Sequence, residues 1–273
     1  MKILIITLIC FSLSLYSQDD TPLTPYKKST ANLQDIGVMF GFGQNYSNGD
    51  HFVDCESCLF NGGVGFGTTL GLYYEREATS WLWYGLLIRY DNLGIESKYI
   101  DNQVLKAKDS EKTFIVPIEQ KAVMDLSFVN FTPYASLRFT DWFRLNLGLN
   151  AGFNVSSNVL HTETPVNNSI QDPETGDYYE LEVTNPDQSK TGKDVYVFMD
   201  SELPEMQSPY LTLYTNFAFP IEFENESKLI PSIGFDFPLG QISTFGNDFS
   251  IGTWRIFLSY SYPLVTRGKK EVK

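Results

Sequence analysis

The sequence predicts an all-β fold, an eight-stranded antiparallel transmembrane β-barrel of the outer-membrane type with long extracellular loops. Three observations lead to this prediction: an apolar N-terminal stretch typical of a signal peptide, segments with apolar residues at every second position, and connections that alternate between short and long. No later apolar run approaches the roughly 20 residues that a transmembrane helix needs, which excludes a helical membrane protein.

The N-terminus indicates the compartment. Lys2 precedes an apolar stretch that continues, with small interruptions, to Tyr16, and Ser17 supplies a small residue for cleavage. We therefore expect residues 1–17 to form a signal peptide. A lipoprotein at Cys10 is the alternative, but the isoleucine before it is not the small residue that lipidation normally requires.

The mature chain is expected to have three parts: a polar periplasmic lead at residues 18–34, the barrel at 35–264 and a basic periplasmic tail at 265–273. Aromatic residues make up 15% of the sequence, and the interface girdles of a membrane barrel require them. Removing the one lysine of the signal peptide from 20 basic residues leaves 19 against 33 acidic ones, a net charge of −14. This acidity argues against nucleic-acid partners.

Each strand is identified by alternation of apolar and polar or small residues. In the first strand Ile36, Val38, Phe40 and Phe42 take one parity. The second strand places a column of glycines on its inward parity, which weakens a strand unless a crowded interior requires small residues. The strands are expected near residues 35–46, 62–74, 81–95, 124–139, 143–156, 210–221, 228–239 and 249–264.

The third strand alternates Leu82, Tyr84, Leu86, Ile88 and Tyr90 with a mixed inward set. The fourth is the least regular, because its apolar residues change parity: Met124, Leu126 and Phe128 on one, and Val129, Phe131, Ala135, Leu137 and Phe139 on the other. Pro133 lies within it, and we expect a bulge to reconcile the two registers.

The fifth strand has the clearest alternation, with apolar residues at odd positions from Phe143 to Val155. The last three strands place large apolar or aromatic residues outward, with a mostly polar or small inward set that also includes Tyr210, Tyr214 and Phe257. Short turns join strands two and three, four and five, and six and seven, whereas the other connections are long. Because short turns of such barrels face the periplasm, both ends of the barrel are expected on that side.

Several segments resemble one family. Residues 130–139, centred on Pro133, and the following residues 142–153 are similar to a proline-centred strand and a glycine-bearing strand of the PorT-like outer-membrane β-barrels of Bacteroidetes and related bacteria. Residues 62–67 and 257–264 are similar to that family too. The resemblance covers nearly the whole mature chain and implies an eight-stranded outer-membrane barrel without implying an activity.

Cys55 and Cys58 form a C-x-x-C pair in the first long loop. In an exported protein the oxidising compartment favours a disulfide. A redox-active pair would need a helix N-terminus in a thioredoxin-like unit, which this sequence does not predict, and a metal site would need further ligands. We predict a structural disulfide, with no metal site and no cofactor.

The two histidines, His51 and His161, fall in predicted loops near the outer ends of strands, and we expect both side chains to be exposed. His161 lies near Ser156, Ser157 and Glu163, a set from which a nucleophile, a base and an orienting group can be drawn. Triads are recognised by geometry and not by sequence proximity, and the motifs of known barrel enzymes are missing. We therefore predict no catalytic residue.

Several charged residues lie at strand positions whose side chains are expected to face the lumen. The interior of an eight-stranded barrel is just wide enough for side chains, and unpaired charges there would be costly, so we expect them to pair across the lumen. The predicted polar network of the lumen consists of Arg89, Asp125, Arg144, Asp236 and Arg255.

Together these observations favour a non-enzymatic protein of the bacterial outer membrane with a structural or interaction role through its extracellular loops. The expected partners are outer-membrane lipid and lipopolysaccharide, with other cell-envelope proteins as a further candidate class. A narrow pore for small solutes is the main alternative, and an enzyme at the outer rim is a weaker one.

Overall fold

The computed structural model of the chain describes residues 33–52, 59–182 and 195–265. The predicted signal peptide, nearly all of the polar lead, the cysteine pair and residues 266–273 of the basic tail lie outside these ranges and stay predictions. Among the described residues no helix has the length and apolar character needed to cross a membrane.

The described residues form twelve strands. Their bounds are β1 (Gln34–Phe52), β2 (Leu59–Glu77), β3 (Leu82–Lys106), β4 (Thr113–Thr140), β5 (Phe143–Pro165), β6 (Ser169–Gln171), β7 (Tyr178–Glu180), β8 (Tyr196–Glu202), β9 (Tyr210–Ala218), β10 (Ile221–Glu222), β11 (Lys228–Pro238) and β12 (Gly246–Val265).

Eight of these strands form a closed, antiparallel, hydrogen-bonded ring in the order β1, β2, β3, β4, β5, β9, β11, β12 and back to β1. The pairing of β1 with β12 closes the ring and runs from Gln34 opposite Val265 to His51 opposite Gly246. Closure removes the unpaired edges that an open sheet exposes. The eight-stranded antiparallel barrel predicted from the sequence is confirmed.

The inward faces of β1 and β2 carry glycines because large side chains from other strands occupy the space beside them. A Cβ atom on Gly41 would lie 2.2 Å from the ring of Phe257, and one on Gly37 would lie 2.3 Å from the ring of Tyr73. These are impossible contacts for any other residue type unless the rings move. The crowded interior therefore explains the glycine column that the sequence displays.

The bulge expected within the fourth strand is wrong as to its place. β4 pairs with β3 without any register shift, from Leu82 opposite Leu137 to Lys106 opposite Thr113. Two shifts lie in the pairing of β4 with β5: Val155 of β5 is the extra residue at one, and Phe139 of β4 at the other. β4 is apolar on both parities because one section of the lumen is itself apolar, so Met124, Leu126 and Phe128 face inward.

Much of what we expected to be loop is strand. β3 and β4 stay paired far beyond residue 96, β5 continues to Pro165, and β8 pairs with the end of β5. We call this sheet, formed by residues 96–106, 113–123, 157–165 and 196–202, the outer extension. The β6–β7 hairpin covers it, and Leu181, which follows this hairpin, packs with Val116 and Ile118 in a small separate core. Inward and outward side chains still alternate in these segments, and packing between neighbouring strands stabilises them as regular sheet.

The outside of the ring exposes apolar side chains in a continuous belt. Aliphatic residues such as Leu72, Ile88, Leu149 and Leu258 lie between bands of aromatic residues. At the short-turn end, Phe143 contacts Phe139, Trp142 and Phe219 with ring centroids 5.7, 5.9 and 5.7 Å apart. Exposed apolar surface of this extent, flanked by aromatic residues, is typical of a barrel wall in contact with lipid.

We predict that a charge has different effects on this belt and on the outer extension. Leu147→Arg places a cation in the apolar belt and should lower the free energy of unfolding in lipid vesicles by about 2 to 4 kcal/mol. Ile115→Arg changes a side chain that is 71% exposed on the outer extension, beyond the belt, and should cost much less. Urea titration of both variants in vesicles measures the difference. Equal losses would contradict the assignment of the belt to the membrane.

Candidate functional site

The candidate site is the interior of the barrel, which has three layers between the short-turn end and the loop end. At the short-turn end, Glu75 lies at the centre of a charge cluster and is 1% exposed. Its Oε2 atom lies 2.9 Å from Nη1 of Arg144 and 3.5 Å from Nη2 of Arg138. The Tyr134 hydroxyl donates a hydrogen bond of 2.9 Å to its Oε1 atom. The Glu75 carboxylate therefore binds the side chains of three residues from β4 and β5, which are neighbouring strands.

A second carboxylate completes this cluster. Asp35 Oδ2 lies 2.6 Å from Nζ of Lys228, which is at the start of β11. The Arg138 guanidinium lies over the Trp83 ring, 3.4 Å from its centroid, an arrangement that favours attraction between the cation and the ring. We call this group the lower cluster, and its charged members are Asp35, Glu75, Arg138, Arg144 and Lys228.

The middle layer is organised around Arg89. Its Nε atom lies 2.9 Å from Oδ2 of Asp91 and its Nη2 atom 2.6 Å from Oδ1 of Asp236. Thr253 also donates to Asp236, and both Thr69 and Asn130 donate to Asp91. In this middle cluster, formed by Arg89, Asp91 and Asp236 with Thr69, Asn130 and Thr253, every carboxylate oxygen has a donor within reach.

Arg255 belongs to the same layer but has no carboxylate in direct contact among the described residues. It donates to Oδ1 of Asn45 at 3.1 Å and to the backbone carbonyl of Asn92 at 3.4 Å. Neutral amide and carbonyl oxygens thus take the place of a counter-charge. Gly67 leaves room for this guanidinium, since a Cβ there would lie 2.8 Å from its Nη1 atom.

Four of the five residues predicted for the lumen network have side chains buried inside the ring: Arg89, Arg144, Asp236 and Arg255. They fall in two clusters, since Arg144 belongs to the lower one. The inward orientation expected for Asp125 is wrong. This residue is exposed on the outer face and accepts a hydrogen bond of 2.6 Å from Asn92. Its apolar neighbours in β4 occupy the inward positions, so its own parity faces outward.

Sequence analysis missed the carboxylates on which the two clusters depend. Asp35 and Glu75 lie on the inward parity of their strands, at and just beyond strand ends that the sequence predicts, whereas Asp91 lies on the inward parity within the predicted third strand, two residues after Arg89. Extending the inward parity of the second strand from Gly71 by two further steps reaches Glu75. The alternating pattern thus indicates that Glu75 faces inward, but it does not show where each strand ends.

The third layer, at the loop end, is apolar. We call it the outer plug, and its buried members are Phe60, Leu93, Ile95, Ala122, Met124, Leu126, Phe128, Val159, Leu203, Tyr210, Ile242, Phe249 and Ile251. Leu203 and Ile242 belong to the connections after β8 and after β11. Segments from the connections therefore close the lumen from above.

Both histidines lie in or beside the outer plug, and the expectation that they are exposed is wrong. His51 and His161 are each 0% exposed. The strands continue further than predicted and turn both rings inward, on either side of Phe60. The Nε2 atom of His161 lies 2.7 Å from Oε1 of Gln120. The Nε2 atom of Gln120 donates a hydrogen bond of 2.6 Å to Oε1 of Glu163. Gln120 therefore bridges the histidine and the carboxylate that the triad hypothesis would pair directly.

A small cavity of about 20 Å³ lies above the lower cluster. Its lining includes Arg144, Asn146, Asn216 and Ser232. The Oδ1 atoms of both asparagines and the hydroxyl of Ser232 have no hydrogen-bond partner among the described residues. A cavity of this size with several polar groups suits about one water molecule. It is too small for a solute.

On the outer extension two ion pairs hold the β6–β7 hairpin to the tip of the β3–β4 ribbon: Lys112 with Asp172, and Lys108 Nζ with Glu180 Oε2 at 3.4 Å. The Lys112 ammonium donates to Asp172, and this hydrogen bond, with one from the backbone N–H of Glu174, holds the pKa of Asp172 below its ordinary value. The same carboxylate raises the pKa of Lys112. Within the part of the chain that the structure describes, no group of three metal-ligating side chains is placed to hold an ion.

No protein-family model and no curated protein matches this chain. Among solved structures it is similar to Ail, the attachment invasion locus protein of Yersinia pestis, in a complex with the heparin analogue sucrose octasulfate. The identity is 11% and the TM-score 0.34, over 84% of this chain and 99% of Ail. It is also similar to Neisserial surface protein A, with 8% identity and a TM-score of 0.31, over 82% of this chain and 95% of that one. These likenesses concern the barrel fold alone.

We predict that the lower cluster is a main source of stability. Glu75→Gln keeps the shape of the side chain but leaves Arg144 and Arg138 without their shared carboxylate. Removing one partner of a buried pair should lower the free energy of unfolding by about 3 to 5 kcal/mol, measured by urea titration in vesicles. Glu111→Gln is the matched control. It breaks an exposed pair with Lys106 and should have little effect. A Glu75→Gln protein as stable as the wild type would contradict the central role of this carboxylate.

Proposed function

We propose that this chain is a non-enzymatic outer-membrane barrel that acts through its loop end, as a structural support or as an interaction surface. The observation that carries this proposal is the contrast between its two parts. The lumen is filled by paired charges and an apolar plug, whereas the outer extension continues as an ordered sheet with a core of its own. Such a molecule is suited to holding a surface in place.

The length of the strands supports this role. About 10 residues of a tilted strand cross the apolar zone of a membrane, and β4 has 28. More than half of β4 is therefore available outside the membrane. The lipid environment follows from the apolar belt, and with it the proposed contact with outer-membrane lipid and lipopolysaccharide. Other cell-envelope proteins are the further class of partner. Membership of the PorT-like family stays a prediction from sequence resemblance.

A narrow pore is the second candidate, and the interior argues against it. An open path would have to cross the middle cluster, where Arg89, Asp91 and Asp236 are bonded to one another, and then the outer plug. The side chains in these layers are nearly all less than a tenth exposed. Eight strands leave an interior just wide enough for side chains, which agrees with a closed lumen.

An enzyme at the outer rim is the weakest candidate. His161, the histidine from which a triad can be drawn, is buried, and its Nε2 atom faces Gln120. A base in acyl transfer must lie within hydrogen-bond reach of its nucleophile and of a bound substrate. A buried ring covered by Phe60 and Phe198 offers no such access.

We expect protease treatment of intact cells to reach the loop end. Trypsin should cut after Lys190 or Lys193, which lie in the longest connection, while sparing Lys228 at the short-turn end, whose side chain is 13% exposed. Mass spectrometry of the released peptides identifies the cut. Cleavage that requires permeabilised cells would reverse the orientation and remove the proposed role outside the cell.

We also expect no steady conductance from the purified protein in planar lipid bilayers, because the paired charges and the outer plug block the lumen. A channel-forming outer-membrane porin in the same bilayers is the positive control, and resistance to heat on a gel verifies that the barrel is folded. Reproducible single-channel steps from the folded protein would favour the pore over the structural role.

A further inference from the structure

We propose that His51 is a proton-operated lock on the outer plug, so that mild acid opens the loop end of the barrel while the rest of the ring stays closed. This inference rests on the proposed function only for the statement that the loop end meets the external medium. The opening itself is a property of the barrel.

The first observation is the environment of the His51 ring. It is 0% exposed, and neither ring nitrogen has a hydrogen-bond partner among the described residues. The ring stacks on Phe60 at a centroid distance of 5.4 Å and contacts Phe249 at 4.7 Å. A phenylalanine would fill this space without leaving polar atoms unsatisfied. The chain instead places there an aromatic residue that can gain a charge in mild acid once its ring reaches water.

Among the described residues, the aromatic rings that contact His51 carry no negative charge to balance a proton. β2 contributes Phe60 and β12 contributes Phe249. Behind Phe60 lie Tyr99 of β3 and His161 of β5. The side chain of Asp50, the neighbouring residue in β1, points to the opposite face of the strand.

Two described carboxylates at this end of the barrel, Asp248 and Glu163, are engaged elsewhere. Asp248 of β12 is exposed and accepts a hydrogen bond from Gln241. Glu163 of β5 is bonded to Gln120 of β4 and Gln103 of β3. Among the described residues a protonated His51 would therefore have no counter-charge in its apolar site, and the ring must leave the site to reach water.

His161 provides a natural comparison inside the same plug. Its ring is equally buried, but Gln120 connects it to the Glu163 carboxylate. This chain of hydrogen bonds gives His161 polar contacts that the His51 ring lacks among the described residues. Of the two histidines, only His51 is therefore placed to force an opening when it gains a charge.

A bulge in the backbone beside His51 allows the end of β1 to move. Gly49 has a φ of +74°, and the register of β1 shifts at this point against both neighbouring strands. Such bulges locally interrupt the ladder of backbone hydrogen bonds. The end of β1 can thus separate from β2 and β12 without disturbing the regular pairing that begins at Ser47.

The test is amide hydrogen exchange by NMR on the full barrel in lipid nanodiscs, at pH 7.5 and pH 5, corrected for the intrinsic pH dependence of exchange. In the wild type, protection of the amides at residues 47–51 should fall by roughly tenfold or more, beginning below the ordinary histidine pKa of about 6.5. The amides at residues 37–41, near the lower cluster, should keep their protection. His51→Phe should stay protected at both pH values, and His161→Gln should respond like the wild type.

Three results would overturn the proposal: a wild type that keeps full protection at pH 5, a His51→Phe variant that opens as the wild type does, or a His51 ring signal that titrates while the nearby amides stay protected. The ring titration needs no substitution, so the proposal stays testable if a variant fails to fold. Because nanodiscs have no cellular orientation, a failure here is independent of the protease result on intact cells.

Discussion

The width of an eight-stranded ring decides what each inward position can hold. The enclosed space accommodates side chains but no bulk water, so each inward charge needs a partner and each large ring needs a gap opposite it. Arg89 lies between Asp91 and Asp236, and Glu75 between Arg144 and Arg138. The glycines of β1 and β2 supply the gaps. The same constraint thus explains the charge pairs, the small residues and the absence of an open path through the described interior.

The interior changes character along its length. The lower and middle clusters are polar and bind strands together through ion pairs and hydrogen bonds across the lumen, whereas the outer plug is apolar and includes residues from the connections. Polar pairs fix the partners of particular strands, because a shift in register would leave charges unpaired. An apolar plug has no such directional demand, which allows segments such as Leu203 and Ile242 to complete it. This difference places the adaptable part of the molecule at the loop end.

The outer extension connects this barrel to its proposed role. Its sheet continues the pairing of β3, β4 and β5 beyond the membrane, and the β6–β7 hairpin covers it through Val116, Ile118 and Leu181. A surface built in this way is held by strands that are anchored in the ring. His51 lies where the ring and the loop-end segments meet, so a change in its charge acts on the border between a rigid part and an adaptable part.

The sequence by itself determined that eight strands alternate in character, that they are ordered as antiparallel neighbours and that an aromatic-rich wall surrounds an interior with charged residues. Alternation has a period of two, so it assigns residues to faces without showing where a strand ends or which face is enclosed. For that reason Asp125 was placed inside, Glu75 was missed, and His51 and His161 were expected in exposed loops. Only ring closure decided these points, because it brings together residues as distant in sequence as Arg89 and Asp236 and makes burial depend on partners that no local pattern contains.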